Sequence, residues 1–119
     1  MASVQAAKSA AAKTREWLVV IPDHAGVLAR RIAIRPQHSP NFVNLHQEGY
    51  VSWAGPLFTK HIEASQTRPF KGSAMVLNDE DKKSILKRLS DDVYVKEQIW
   101  DLDNALITPF RTLRRRTVS

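Results

Sequence analysis

Apolar residues along this chain fall in short runs, each bounded by turn-forming residues. E-W-L-V-V-I-P-D (16–23) is rich in β-branched and aromatic side chains and ends at Pro22, which predicts a buried strand. A-G-V-L-A-R-R-I-A-I (25–34) places apolar side chains at 27, 28, 32 and 34, a spacing open to a short helix or a bent connection. R-P-Q-H-S-P (35–40) then sets two prolines four residues apart. Each fixes φ and removes a backbone donor, so little regular structure is expected across them. N-F-V-N-L-H-Q-E (41–48) predicts a helix, with Ser39 at the N-cap, Pro40 at the first helical position and Gly49 at the stop.

Y-V-S-W-A-G-P-L-F (50–58) predicts a second strand, in which Gly55 and Pro56 mark an edge or a bulge. Residues 60–71 are polar and read as a loop leading to a third strand, G-S-A-M-V-L (72–77). N-D-E-D-K-K-S-I-L-K-R-L (78–89) predicts a helix: acids open it, bases close it, and Ile85, Leu86 and Leu89 form its apolar stripe. An irregular piece, 90–98, precedes a final strand within 99–110.

The order strand, helix, strand, strand, helix, strand is that of an α+β, ferredoxin-like split βαβ fold. It has a four-stranded antiparallel sheet with both helices on one face. The other face is left apolar and uncovered, which predicts a homodimer joined through the sheet.

Charge changes this picture only at the ends. The net charge is +6, but seven of the 18 basic residues lie in 1–15 and 111–119, where there is no acid. Residues 16–110 keep 11 basic against 12 acidic side chains, so the folded body lacks the basic stripe of a nucleic-acid binder. We expect a basic, Ala-rich extension (1–15), a domain (16–113) and a basic tail (114–119). The extension is open to two readings, a transit peptide for mitochondria or a helix-prone start on a cytoplasmic protein. No apolar run is long enough to span a bilayer, so no membrane partner is expected. With no cysteine and no paired histidine spacing, no metal site and no cofactor are expected either. The glycine fingerprints of phosphate and dinucleotide sites and the G-x-S-x-G nucleophile motif are missing too.

His38 is the first candidate for chemistry. At or just before a helix start, the positive end of the dipole favours the neutral imidazole, the form a general base needs. The competing reading is a surface histidine with no role. Arg35, three residues earlier, either faces a substrate oxygen or pairs with Asp23. Asp91 and Asp92 follow the second helix, where acids oppose its dipole. Asp92 either caps the next turn or orients a histidine. Trp53, Trp100, Tyr94 and Phe58 fit a core or a dimer interface, and one or two could line a small pocket.

Taken together, D-H-A-G-V-L-A-R-R-I-A-I-R-P-Q-H, G-Y-V-S-W-A-G-P, K-G-S-A-M-V, D-V-Y-V-K-E-Q-I-W and I-T-P-F resemble the YCII-related (YciI-like) proteins over roughly 16–113. The resemblance implies a dimeric α/β-barrel fold and a histidine–aspartate pair in a pocket, carried here by His38 and Asp92. It places the family's arginine on Arg35 and the acid after the first strand on Asp23. Trp53, Gly55, Pro56 and Tyr94 join Asp23 as expected substrate contacts. Two positions depart from the family pattern: Val93 replaces the proline of D-P-Y, and Gln98 replaces a later glycine. Losing that proline is expected to loosen the placement of Asp92.

The function expected is a small cofactor-free lyase or isomerase. His38 moves a proton on a small cyclic, aromatic or polyketide-type substrate, Asp92 orients it, and Arg35 steadies negative charge on oxygen. The alternative is a non-catalytic small-molecule-binding or interaction protein that keeps the fold.

Overall fold

A computed structural model describes residues 14–63 and 66–113; the N-terminal extension before Thr14 and the tail 114–119 lie outside the described residues. Four strands, β1 (Arg15–Pro22), β2 (Val51–Phe58), β3 (Phe70–Asp79) and β4 (Leu106–Pro109), form one antiparallel sheet in the order β2-β3-β1-β4. Three helices join them: α1 (Leu28–Gln47), α2 (Lys82–Leu89) and the single turn α3 (Val93–Lys96). The helices pack on one face of the sheet, as the element order predicts. The alternation of β1 and β3 decides which side chains meet them. Val19, Ile21, Met75 and Leu77 are buried with Leu45 of α1, Ile85 and Leu89 of α2, and Tyr94, Ile99 and Trp100.

The opposite face reads as two cross-strand rows, Trp53–Val76–Leu18–Thr108 and Gly55–Ala74–Val20–Leu106. Val76 at its centre is buried, while Trp53 and Leu106 at its margins are 44% and 52% exposed. Pro56 sits in β2, an edge strand, the place in a sheet that tolerates a residue without a backbone donor. At Gly72 in β3 an added Cβ would lie 2.5 Å from the Ile21 carbonyl oxygen, so the close pairing with β1 admits only glycine.

Two expectations change. The prolines do not separate a connection from a helix, because α1 runs unbroken through Pro36 and Pro40 for 20 residues. Each proline deprives the carbonyl four residues earlier of its donor, and those carbonyls belong to Ile32 and Pro36. Ile32, Pro36 and Pro40 share one face of α1, and all three are exposed, so the freed carbonyls lie on the side open to water. The face a third of a turn away is anchored by Arg31 and Leu45, both buried. Tertiary packing outweighs a propensity penalty of about 3 kcal/mol per proline. The final strand is also shorter than 99–110. Trp100 makes only an isolated bridge to Asp23, a 3₁₀ turn spans Leu102–Asn104, and β4 is four residues long.

Candidate active site

Helical spacing puts Arg31, Arg35, His38, Phe42 and His46 along one side of α1, facing the β2–β3 half of the sheet. Between them lies a cavity of about 480 Å³, closed at its inner end by Phe70, Ser73, Met75, Tyr94 and Trp100. Its size suits a ligand of one or two rings.

His38 lies at mid-helix, so the dipole argument for its form does not apply there. A different device holds the imidazole. Nδ1 is 2.7 Å from Asp92 Oδ1, and the ring stacks on Tyr94 at 3.9 Å with 8° between planes. Phe42 and the edge of Trp100 complete the clamp at 4.6 and 5.2 Å. An ionised Asp92 can only accept, so Nδ1 carries the hydrogen, and in the neutral ring the lone pair is left to Nε2 on the far side.

Asp92 is buried with three of its four lone-pair directions in use. Oδ1 also accepts from the Tyr94 amide at 2.9 Å, and Oδ2 accepts from Asn41 Nδ2 at 3.0 Å. Capping and orienting therefore coexist, since Asp92 is the N-cap of α3 and the partner of His38. Val93 in place of proline does not dislodge it. Position 93 is the first residue of α3, whose amide has no intrahelical partner whether or not it exists. Gln98 occupies a backbone with φ of 56°, which accounts for glycine at that position in the YCII-type pattern.

Asp23 and Arg35 are not paired. The partner of Asp23 is Arg31, one helical turn earlier and buried, whose Nη1 donates to both carboxylate oxygens at 2.8 and 2.7 Å. Nη1 also reaches the Gly72 carbonyl at 3.0 Å and Nη2 reaches Ser73 Oγ at 3.0 Å. Phe70 and Tyr94 lie beneath the guanidinium at 4.6 and 5.2 Å. Asp23 thus stands behind the cavity wall and acts on it through Arg31. Arg35 is exposed on the cavity's rim. Burial pushes the Tyr94 phenol above its ordinary value, against the smaller opposing pull of Arg31, so it stays neutral at physiological pH.

Of the residues named from sequence, His38, Arg35, Trp53, Gly55, Pro56, Tyr94 and Trp100 line the cavity, Phe58 does not, and Asp92 meets it through His38. Arg31, Asn41, Phe42 and Ser73 were not singled out. Arg31 and Phe42 share the helical spacing of His38, a register that exists only because α1 continues through the prolines. Ser73 and Asn41 carry no local signal. Among the described residues no group of three or more His, Cys, Asp or Glu is placed to hold a metal ion, and no helix is long and apolar enough to cross a membrane.

Aspercryptin biosynthesis cluster protein B from Emericella nidulans is 58% identical over 107 residues, covering 89% of this chain and 69% of that protein. Fusaric acid biosynthesis protein 2 from Gibberella moniliformis is 28% identical over 102 residues, covering 86% of this chain and 98% of that protein. Among solved structures, 5-chloro-2-hydroxyhydroquinone dehydrochlorinase (TftG) from Burkholderia phenoliruptrix AC1100, in complex with 2,5-dihydroxybenzoquinone, superposes with a TM-score of 0.68 at 16% identity. That match spans 81% of this chain and 93% of TftG, and it establishes the shared α+β fold. No protein-family model matches the chain.

Proposed function

The chain belongs to the family of aspercryptin biosynthesis cluster protein B, and from that premise we propose that it is a small-molecule enzyme of secondary metabolism, a lyase or isomerase that works by proton transfer. The observation that carries this reading is the His38–Asp92 pair at 2.7 Å on the wall of an aromatic-lined cavity. Nε2 of His38 takes a proton from a carbon next to a carbonyl. The electron pair left behind moves to the carbonyl oxygen, and Asp92 stabilises the imidazolium that forms. Arg35 at the rim steadies the oxygen's negative charge. The same proton then returns to a second carbon, completing an isomerisation, or leaves with a departing hydroxide or halide, completing an elimination. Neither outcome needs a group that the chain does not itself supply.

The fold shared with TftG and the order of R-P-x-H, A-G-P and D-x-Y-V support placing the chain with the YCII-related proteins, and pairing of two copies through the open sheet face goes with that placement. The substrate class is a small cyclic, aromatic or polyketide-type compound with an enolisable carbonyl, matched in size to the cavity.

The test is deuterium uptake in D₂O from a panel of enolisable cyclic ketones, hydroxyquinols and β-diketones, read by mass spectrometry. The native chain is expected to accelerate uptake for at least one class, and His38→Gln to lose about 10²- to 10⁴-fold of that rate. Equal rates in the two proteins would leave a binding protein in place of an enzyme.

A further inference from the structure

Ser73 has a place in this site that no motif announces. It lies on the helix-facing side of β3, opposite Ile21 of β1, is buried, and lines the cavity. Its Oγ accepts two hydrogen bonds, from Arg31 Nη2 at 3.0 Å and from Trp100 Nε1 at 3.1 Å. Both partners are donors only, so neither can receive the serine's own hydrogen. A hydroxyl has two lone pairs and one hydrogen; here both lone pairs are engaged. The third direction around the oxygen is left to the O–H, and among the described residues it donates to none. A buried hydroxyl hydrogen calls for an acceptor, and the space Ser73 borders is the cavity.

We infer that Ser73 is the donor that receives the substrate's charged oxygen, and that the substrate is a planar cyclic enol or phenol bound as its enolate or phenolate. This rests on the proton-transfer reading above and gives its anion a second, deeper contact than Arg35. The guanidinium behind Ser73 draws electron density from its oxygen, which makes the O–H a stronger donor and favours an acceptor carrying negative charge. Trp100 ties this donor to the base: its indole N–H is on Ser73 and its ring lies 5.2 Å from the His38 imidazole. Phe42, Phe70 and Tyr94 supply the apolar walls that a flat ring needs. A ring oxygen held at Ser73 leaves the neighbouring ring carbon on the His38 side. Charge that develops there during proton removal then meets a donor already in position.

The probe is 4-nitrophenol, whose phenol and phenolate forms absorb at different wavelengths, titrated into the native chain, Ser73→Ala, Ser73→Thr and Arg35→Gln across pH 5 to 9. The native chain is expected to prefer the phenolate. Ser73→Ala should lose about tenfold or more in phenolate affinity while changing phenol affinity less than twofold, and Ser73→Thr, which keeps the hydroxyl, should hold the preference. Arg35→Gln, which removes the rim contact at an exposed position that does not threaten folding, should weaken the preference less than Ser73→Ala does. A native chain without phenolate preference, a Ser73→Ala protein that retains it, or a larger loss in Arg35→Gln than in Ser73→Ala would each overturn the inference. Deuterium uptake by the native chain and His38→Gln, from the experiment above, separates the two failures. Phenolate preference dependent on Ser73 without His38-dependent uptake sinks the base and upholds the donor. His38-dependent uptake with a preference indifferent to Ser73 sinks the donor alone.

Discussion

His38 owes its orientation to an acceptor 54 residues away and to the flat face of Tyr94, two contacts that no local pattern around position 38 encodes. The resemblance to the YCII-related proteins named both members of this pair, yet the physical reason offered for His38, a helix start, is replaced by stacking and an Asp92 hydrogen bond at mid-helix. Arginine shows the same limit. One helical turn separates Arg31 from Arg35, and only packing decides which of them meets Asp23. A second buried residue carries a pH signature. Burial, reinforced by Asp79 at 2.6 Å, pushes the Tyr50 phenol far above its ordinary value of 10.0, outweighing the opposing pull of Arg88. The folded state therefore holds this proton more tightly than the unfolded chain. Its stabilising contribution is complete below about pH 10, where unfolded tyrosine titrates, and is lost as pH rises beyond that. Urea unfolding at pH 9 and pH 11 should show stability falling with pH. In Tyr50→Phe that fall should be shallower, and an identical slope would remove Tyr50 as its source.

Among the elements, α1 and the turn after α3 depart most from local preference. Reading R-P-Q-H-S-P as an interruption followed from the cost of proline inside a helix. Four-residue spacing puts both prolines on one exposed line, and that placement makes a continuous helix tolerable. Continuity matters for the site, because it brings Arg31, His38 and Phe42 into register over one cavity. Gln98 follows α3 and hands the chain to Ile99 and Trp100, both buried. Its left-handed backbone costs a residue with a Cβ about 1 kcal/mol or more. Gln98→Gly relieves the steric term and gives up some unfolded-state entropy. The net expectation is a gain of about 0.5–1 kcal/mol, seen as a melting temperature raised by a few degrees. A lower melting temperature would mean that the Gln98 side chain contributes more than the strain removes.

At the scale of the whole molecule, the sheet buries one face and leaves the other open. Leu18, Val20, Ala74 and Val76 form its middle, and Trp53 and Leu106 its exposed margins. Pairing of two copies across it, the arrangement proposed above, predicts sedimentation at twice the 13.5 kDa chain mass. Val20 and Leu106 are cross-strand partners on this face. Val20→Lys combined with Leu106→Glu puts opposite charges side by side, which supports the β1–β4 pair while wetting the interface. The double variant should sediment as a monomer and keep the native circular dichroism spectrum. A native chain already monomeric at micromolar concentration would refute the pairing.

Alternation and turn residues determined the element types, their order and hence the ferredoxin-like sheet, because those signals act between residues two to four apart. The edge position of Pro56 belongs to the same class of local rule. The continuity of α1, the Arg31–Asp23 pair, the enclosure of His38 by Tyr94 and Trp100, and the doubly accepting Ser73 were decided only by tertiary structure. Each of them joins residues far apart in sequence, where hydrogen-bond directions and close packing make the choice, and neither propensity nor periodicity records such a choice.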